Sequence, residues 1–142
     1  MKTKEFKGFL KEFGFLKYAD IVSIKGRASF SNFQANWSDY GYVYVWVEKD
    51  KLGISIVYVG KAGKTMRARC NQHESGFRGG SKKGKTHSNR IVAGILAGKR
   101  YSVYARKSAS QTLLGVPDVS LGCIEELAFI RKLSPPWNSI TS

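Results

Sequence analysis

Residues 42–59 limit the fold more than any other part of the chain. Tyr42-Val43-Tyr44-Val45-Trp46-Val47 alternates aromatic side chains with valine, and every one of these residues favours a pleated, half-buried surface. Glu48 to Gly53 is turn chemistry, and Ile54 to Val59 is a second apolar run of strand length. Two neighbouring strands joined this way predict an antiparallel hairpin. A period of two places Tyr42, Tyr44 and Trp46 on one face of the first strand. It places Ile54, Ile56 and Tyr58 on one face of the second.

Helical spacing frames the hairpin. Phe6, Phe9, Leu10 and Phe13 recur as one face of a helix, which Gly14 can stop. "DIVSIKG" reads as a short strand or a helix end, and "RASFSNFQANWSDY" as an irregular connector with aromatic anchors. After Gly60 the spacing turns helical: Met66 and Cys70 share one face, Arg69 and His73 another. "SGFRGGSKKGKTHSN" reads as a mobile basic loop, and a helix is predicted from about His87 to Ala97, stopped by Gly98. "RYSVYARKS" is a third strand and "QTLLGVPDV" a loop. A last helix, capped by Asp118 or Ser120, carries Ile124, Leu127 and Ala128 and ends before Pro135-Pro136. The expected fold is α+β, with a small, mostly antiparallel three-stranded sheet flanked by helices. Residues 1–40 are expected to form an N-terminal helical extension, and 41–142 the functional domain.

Charge narrows the function. The 142 residues hold 24 Lys and Arg against 10 Asp and Glu, a formal +14, which implies a polyanionic partner, nucleic acid before an anionic membrane surface. No apolar run approaches the roughly 20 residues of a membrane span. The opening MKTKEFKGFLKEFGF intersperses lysines among apolar residues, unlike a signal peptide. A cytoplasmic protein is expected. Cys70 and Cys123 have no metal-ligand spacing and are expected to be two buried thiols rather than a disulfide. Charge alone would also suit a ribosomal or chromatin-type protein with no chemistry.

Val57 to Thr65, VYVGKAGKT, ends like a phosphate-binding P-loop. That motif needs a glycine five residues before Gly63, where this chain has Tyr58. A nucleotide-dependent ATPase is excluded on that ground. The lysines of this turn are better suited to the phosphates of a nucleic-acid backbone.

The ordered set Tyr42-Val43-Tyr44, Tyr58-Val59-Gly60-Lys61-Ala62, Arg69, Glu126 and Asn138 resembles the GIY-YIG nucleases over residues 41 to 138. The first motif departs from the family pattern, its glycine being replaced or displaced to Gly41. The resemblance implies phosphodiester hydrolysis with a divalent cation, Mg2+ or Mn2+, held by Glu126. Glu126 is preferred to Glu125 for its spacing to Ile130 and Asn138. The resemblance also implies that Tyr44 and Tyr58 divide two tasks, positioning or deprotonating the attacking water and holding the scissile phosphate. Arg69 would stabilise phosphate charge, His73 and Lys61 would accompany the site, and Asn138 would support it by hydrogen bonds. An arginine fork suits phosphate, and a phenol needs nearby cations to act as a base near neutral pH.

Lys64, Arg67, Lys82, Lys83, Lys85 and His87 are the expected nucleic-acid contacts. DNA is the expected substrate, with RNA left open, and no membrane partner is expected. Restriction, phage and repair roles all suit a chain of this size. A double-strand cut requires two sites, which a homodimer would supply. Singly, each residue has a duller reading: core aromatics, solvated arginine and lysines, a salt-bridged helix acid, a turn asparagine. The competing function is a non-catalytic basic nucleic-acid-binding module on the same fold. The altered first glycine favours it, and the retention of Tyr58, Arg69 and Glu126 disfavours it.

Overall fold

The computed structural model describes residues 1–138. Helix α1 (Thr3–Phe13) leads into strands β1 (Leu16–Ile24) and β2 (Arg27–Ser31), then β3 (Tyr42–Asp50) and β4 (Gly53–Ala62). Helix α2 (Met66–Ser75) continues into a π-helical turn (Gly76–Gly80), followed by α3 (Lys82–Leu96) and β5 (Arg100–Lys107). A small hairpin, β6 (Ser110–Leu113) and β7 (Val116–Ser120), precedes α4 (Gly122–Leu133). The main sheet has five strands in the order β2-β1-β5-β3-β4, and every pairing in it is antiparallel. The α+β class stands, but the sheet has five strands rather than three, because two came from segments without a strong strand signal.

β1 and β2 form where a connector was expected. They turn through Lys25-Gly26, both with positive φ, the twist-matched two-residue hairpin turn. Lysine is a rare occupant of such a turn, so its signal was weak. β2 is an edge strand whose donors are met by helices rather than by another strand. Ala28 N–H donates to Ser88 Oγ (2.9 Å), and Ser29 Oγ and Phe30 N–H donate to Glu74 Oε1 (2.6 and 3.0 Å). β6 and β7 replace an expected loop, turning through Leu114-Gly115, again both with positive φ.

Helices cover both faces of the sheet. On one face Tyr42, Tyr44, Trp46, Tyr58, Tyr101 and Val103 pack with Met66 and Cys70 of α2, Phe77 of the π turn and Ile91 of α3. On the other, Val43, Val45, Val47, Ile54, Ile56 and Val59 pack with Phe6 and Phe9 of α1 and Phe129 of α4. Phe9, Phe13, Phe15 and Phe129 form an aromatic cluster with ring centroids 5.2–6.2 Å apart. Ile124 and Leu127 of α4 are exposed; Phe129 is that helix's anchor.

Several local expectations change. α3 starts at Lys82, capped by Ser81, whose Oγ accepts Gly84 N–H at 3.0 Å. Lys82, Lys83 and Lys85 therefore lie on its first turns and not in a mobile loop. The glycines of this segment had argued for a loop. Gly84 is needed for packing, since a Cβ there would meet Gly76 Cα at 2.6 Å. α4 begins after Leu121; Ser120 Oγ does accept Gly122 N–H (3.2 Å), whereas Asp118 lies within β7. Both cysteines are free, Cys70 buried and Cys123 exposed. No described helix is long and apolar enough to cross a membrane.

Candidate active-site cleft

A bulge in β4 brings the hairpin's tyrosines together. The β3–β4 register shifts between Trp46 and Val47, so that Trp46 pairs with Tyr58 and Val47 with Ile56. The extra residue flips the strand's alternation. Ile54 and Ile56 stay on the α1 and α4 face, while Tyr58 joins Tyr44 and Trp46 on the opposite face. Ile54, Ile56 and Tyr58 thus do not share a face, because an unbroken period of two does not hold across a bulge.

Gly60 stands directly opposite Tyr44 in the β3–β4 ladder. A Cβ there would lie 2.3 Å from the Tyr44 hydroxyl. The glycine makes room for that phenol; it is not the pivot from strand to helix, since β4 runs on to Ala62. α2 then starts at Met66, capped by Thr65 Oγ1, which accepts Ala68 N–H at 3.1 Å.

α2 delivers Arg69 and His73, one turn apart, to the tyrosines. Arg69 Nε donates to Tyr44 Oη (3.1 Å), and one terminal nitrogen of Arg69 donates to Gln72 Oε1 (2.9 Å). Tyr44 Oη and His73 Nε2 lie 2.5 Å apart. The Tyr44 hydroxyl thus stands between the Arg69 donor and the His73 ring. That geometry fits a neutral imidazole. Burial, reinforced by Arg69, His87 and Lys83, holds the His73 pKa well below 6.5. Burial also raises both phenols, Tyr44 well above 10. Arg69, and hydrogen bonds with Tyr44 and Arg69, pull Tyr58 back only in part. Both phenols are therefore neutral donors near pH 7.

Tyr58, Arg69, Gln72, His73, Ser81, Lys83 and His87 line a cleft of about 190 Å³ between β4, α2 and α3. Tyr44, 1% exposed, lies within its wall. His87 is buried and not a surface contact: its ring packs against Trp46, Tyr58 and Trp137, with centroids 5.3, 5.0 and 6.1 Å away.

Glu126, half-buried on the first turns of α4, belongs to the same electrostatic cluster. Burial raises its pKa, and Lys61, Arg69 and Lys83 oppose that rise. Its neighbour Glu125 is committed elsewhere, ion-paired with Arg106 (3.2 Å) and accepting Ala109 N–H (3.0 Å). Asn138 grips β4 through two hydrogen bonds of 2.8 Å, its Oδ1 accepting Val59 N–H and its Nδ2 donating to Val59 O. Trp137 N–H donates to Val57 O (2.9 Å). The tail thus borders β4 as a further strand would.

Other expected contacts lie apart. Arg67 stacks over Phe33, 3.8 Å from the ring centroid. Lys61, Lys64, Lys82 and Lys85 are exposed and do not line the cleft. Gln72, three residues from Arg69 on the same helix face, was missed; the i,i+3 spacing was the available signal. Trp137 was missed too, since nothing local marks it as packing behind His87. A larger cavity, about 560 Å³, lies over β1 and β5 away from these groups. Two of its lysines are already paired, Lys17 with Asp20 and Lys99 with Glu48.

Among the described residues no three His, Cys, Asp or Glu side chains cluster as metal ligands. The donor set still fits a hard cation in one way. Magnesium at phosphate sites is commonly held by one or two carboxylates, with water and substrate oxygens filling the shell. Glu126 supplies one carboxylate beside a cleft rich in phosphate donors.

The chain is 27% identical to endonuclease II of Enterobacteria phage T4 over 131 residues, 89% of this chain and 91% of that protein. Its fold matches a solved mutant of bacteriophage T4 EndoII with a TM-score of 0.66 and 25% identity, over 93% of this chain and 97% of the other. The restriction endonuclease HPY188I, solved with product DNA, is 18% identical with a TM-score of 0.47, covering 100% of this chain and 87% of that one. No family model matches the chain. The likeness to endonuclease II over most of both chains overturns the expected membership of the GIY-YIG family.

Proposed function

We propose that this protein is a divalent-cation-dependent endonuclease that hydrolyses phosphodiester bonds in DNA. One observation carries the reading: Tyr58, Arg69 and His73 converge on a single cleft, with Tyr44 in its wall and Glu126 coupled to it. The near full-length likeness to a phage endonuclease supports it. So does a net charge of +14, which suits a polyphosphate substrate.

Glu126 would hold the cation, Mg2+ or Mn2+, which when bound polarises a phosphoryl oxygen. Arg69 has donors to spare beyond those on Tyr44 and Gln72, and turns them to the scissile phosphate. Tyr58, a neutral phenol in the cleft, binds water or a phosphate oxygen. Tyr58, whose pKa rise Arg69 opposes, would orient the attacking water, and the proton that water loses leaves through the open cleft to solvent. Lys61 and Lys83 add positive potential, and Asn138 fixes the strand that bears Tyr58. Lys64, Lys82 and Lys85 extend the charge to flanking phosphates, and a homodimer would supply the second site for a double-strand cut.

The test is Glu126→Ala beside Glu125→Ala. Glu126→Ala should lower cleavage at least about 100-fold while leaving DNA affinity intact. Glu125→Ala should act mainly through stability. Full cleavage by Glu126→Ala would remove the assignment.

A further inference from the structure

His87 carries a feature that the mechanism above does not use. It is 2% exposed, and its Nε2 has no hydrogen-bond partner among the described residues. An acceptor buried without a partner is costly, and native proteins keep few of them. The ring is also fixed from every side. Trp46, Tyr58 and Trp137 pack against it, and the Trp137 backbone carbonyl takes its other N–H. That carbonyl selects the tautomer in which Nε2 is a bare lone pair. The charged and titratable groups facing it are Lys83 and Arg90 of its own helix, His73 of α2 and Tyr58 of β4. All three cations or potential cations disfavour an imidazolium, so the ring stays an acceptor.

Apart from the Tyr58 hydroxyl, the other side-chain acceptors that line the cleft are engaged. His73 Nε2 meets Tyr44, Gln72 Oε1 meets Arg69, and Ser81 Oγ caps α3. We infer that His87 is a positioning residue: its Nε2 accepts a hydrogen bond from the attacking water and so sets the line of attack. This rests on the nuclease reading. It assigns His87 a place at the reacting water instead of a contact with the DNA backbone. The water's second proton remains available to Tyr58.

The experiment compares His87→Gln, His87→Met and His87→Phe with the natural protein and Glu126→Gln. Single-turnover cleavage at saturating DNA with Mg2+, DNA affinity in EDTA, and melting temperature are measured for each. Gln keeps an acceptor near Nε2; Met matches its size without one, and Phe matches the ring. His87→Met and His87→Phe should cleave about 10- to 100-fold more slowly with DNA affinity not lowered. Both also lose the N–H given to the Trp137 carbonyl and should melt somewhat lower, so rates are compared at a temperature where every variant is folded. His87→Gln should recover most of the rate. If Phe does not fold, the Gln and Met pair decides alone. Natural-level cleavage by Met or Phe, a loss confined to affinity, or Gln no better than Met would overturn the inference. No cleavage by the natural protein would instead overturn the nuclease reading, and this inference with it.

Discussion

At Gly60 a missing methyl group decides where a phenol sits. The residue across the ladder is Tyr44, whose hydroxyl occupies the space a Cβ would need. Tyr44 in turn links Arg69 to His73. Gly60→Ala should therefore act twice. It should cost about 1–3 kcal/mol as an overpacked core position, read by denaturant unfolding, and it should slow cleavage by displacing Tyr44. A variant of unchanged stability and rate would show that the phenol has room to move. Tyr44, Arg69 and His73 were legible in the sequence because strand alternation and one helical turn fix their neighbours; the face of Tyr58 was not, since it depends on a bulge that alternation does not show. The reason for the glycine was not legible, since it depends on which residue stands opposite. Nor was the burial of His87, which needs Trp46, Tyr58 and Trp137 from three distant segments.

Elements place these residues through their irregularities. The β4 bulge moves Tyr58 to the site face, and a strictly alternating strand would have put it on the other. The tail uses Asn138 as a side-chain substitute for a neighbouring strand, closing the β4 edge at Val59. Asn138→Ala leaves that backbone amide and carbonyl without their partner. We expect a loss of about 1–3 kcal/mol, read by thermal or denaturant unfolding, with cleavage reduced as β4 loosens. Unchanged stability would mean that water replaces the side chain freely. The hairpin β3–β4 and helices α1 and α2 announce themselves by periodicity. The turns Lys25-Gly26 and Leu114-Gly115 do not, since neither carries the Asn-Gly or Asp-Gly signature of their type. The expected α3 is shorter than the observed helix because glycine and lysine argue for a loop, while in the fold Gly84 serves close packing against Gly76.

For the whole molecule, the five-stranded sheet separates two tasks. Its α1 and α4 face is an aromatic and aliphatic core, and its α2 and α3 face carries the cleft. α4 bridges them, anchoring Phe129 in the first and carrying Glu126 to the second. The excess of positive charge was plain in the sequence, yet its division into cleft donors, stacked arginine and exposed lysines needed the fold. The most direct measurement is incubation of the purified protein with supercoiled plasmid DNA, with Mg2+ and with EDTA. We expect nicked or linear products with Mg2+ and none with EDTA. Intact plasmid under Mg2+ and Mn2+ alike, with tight salt-sensitive binding, would contradict the account and leave a DNA-binding protein without the chemistry.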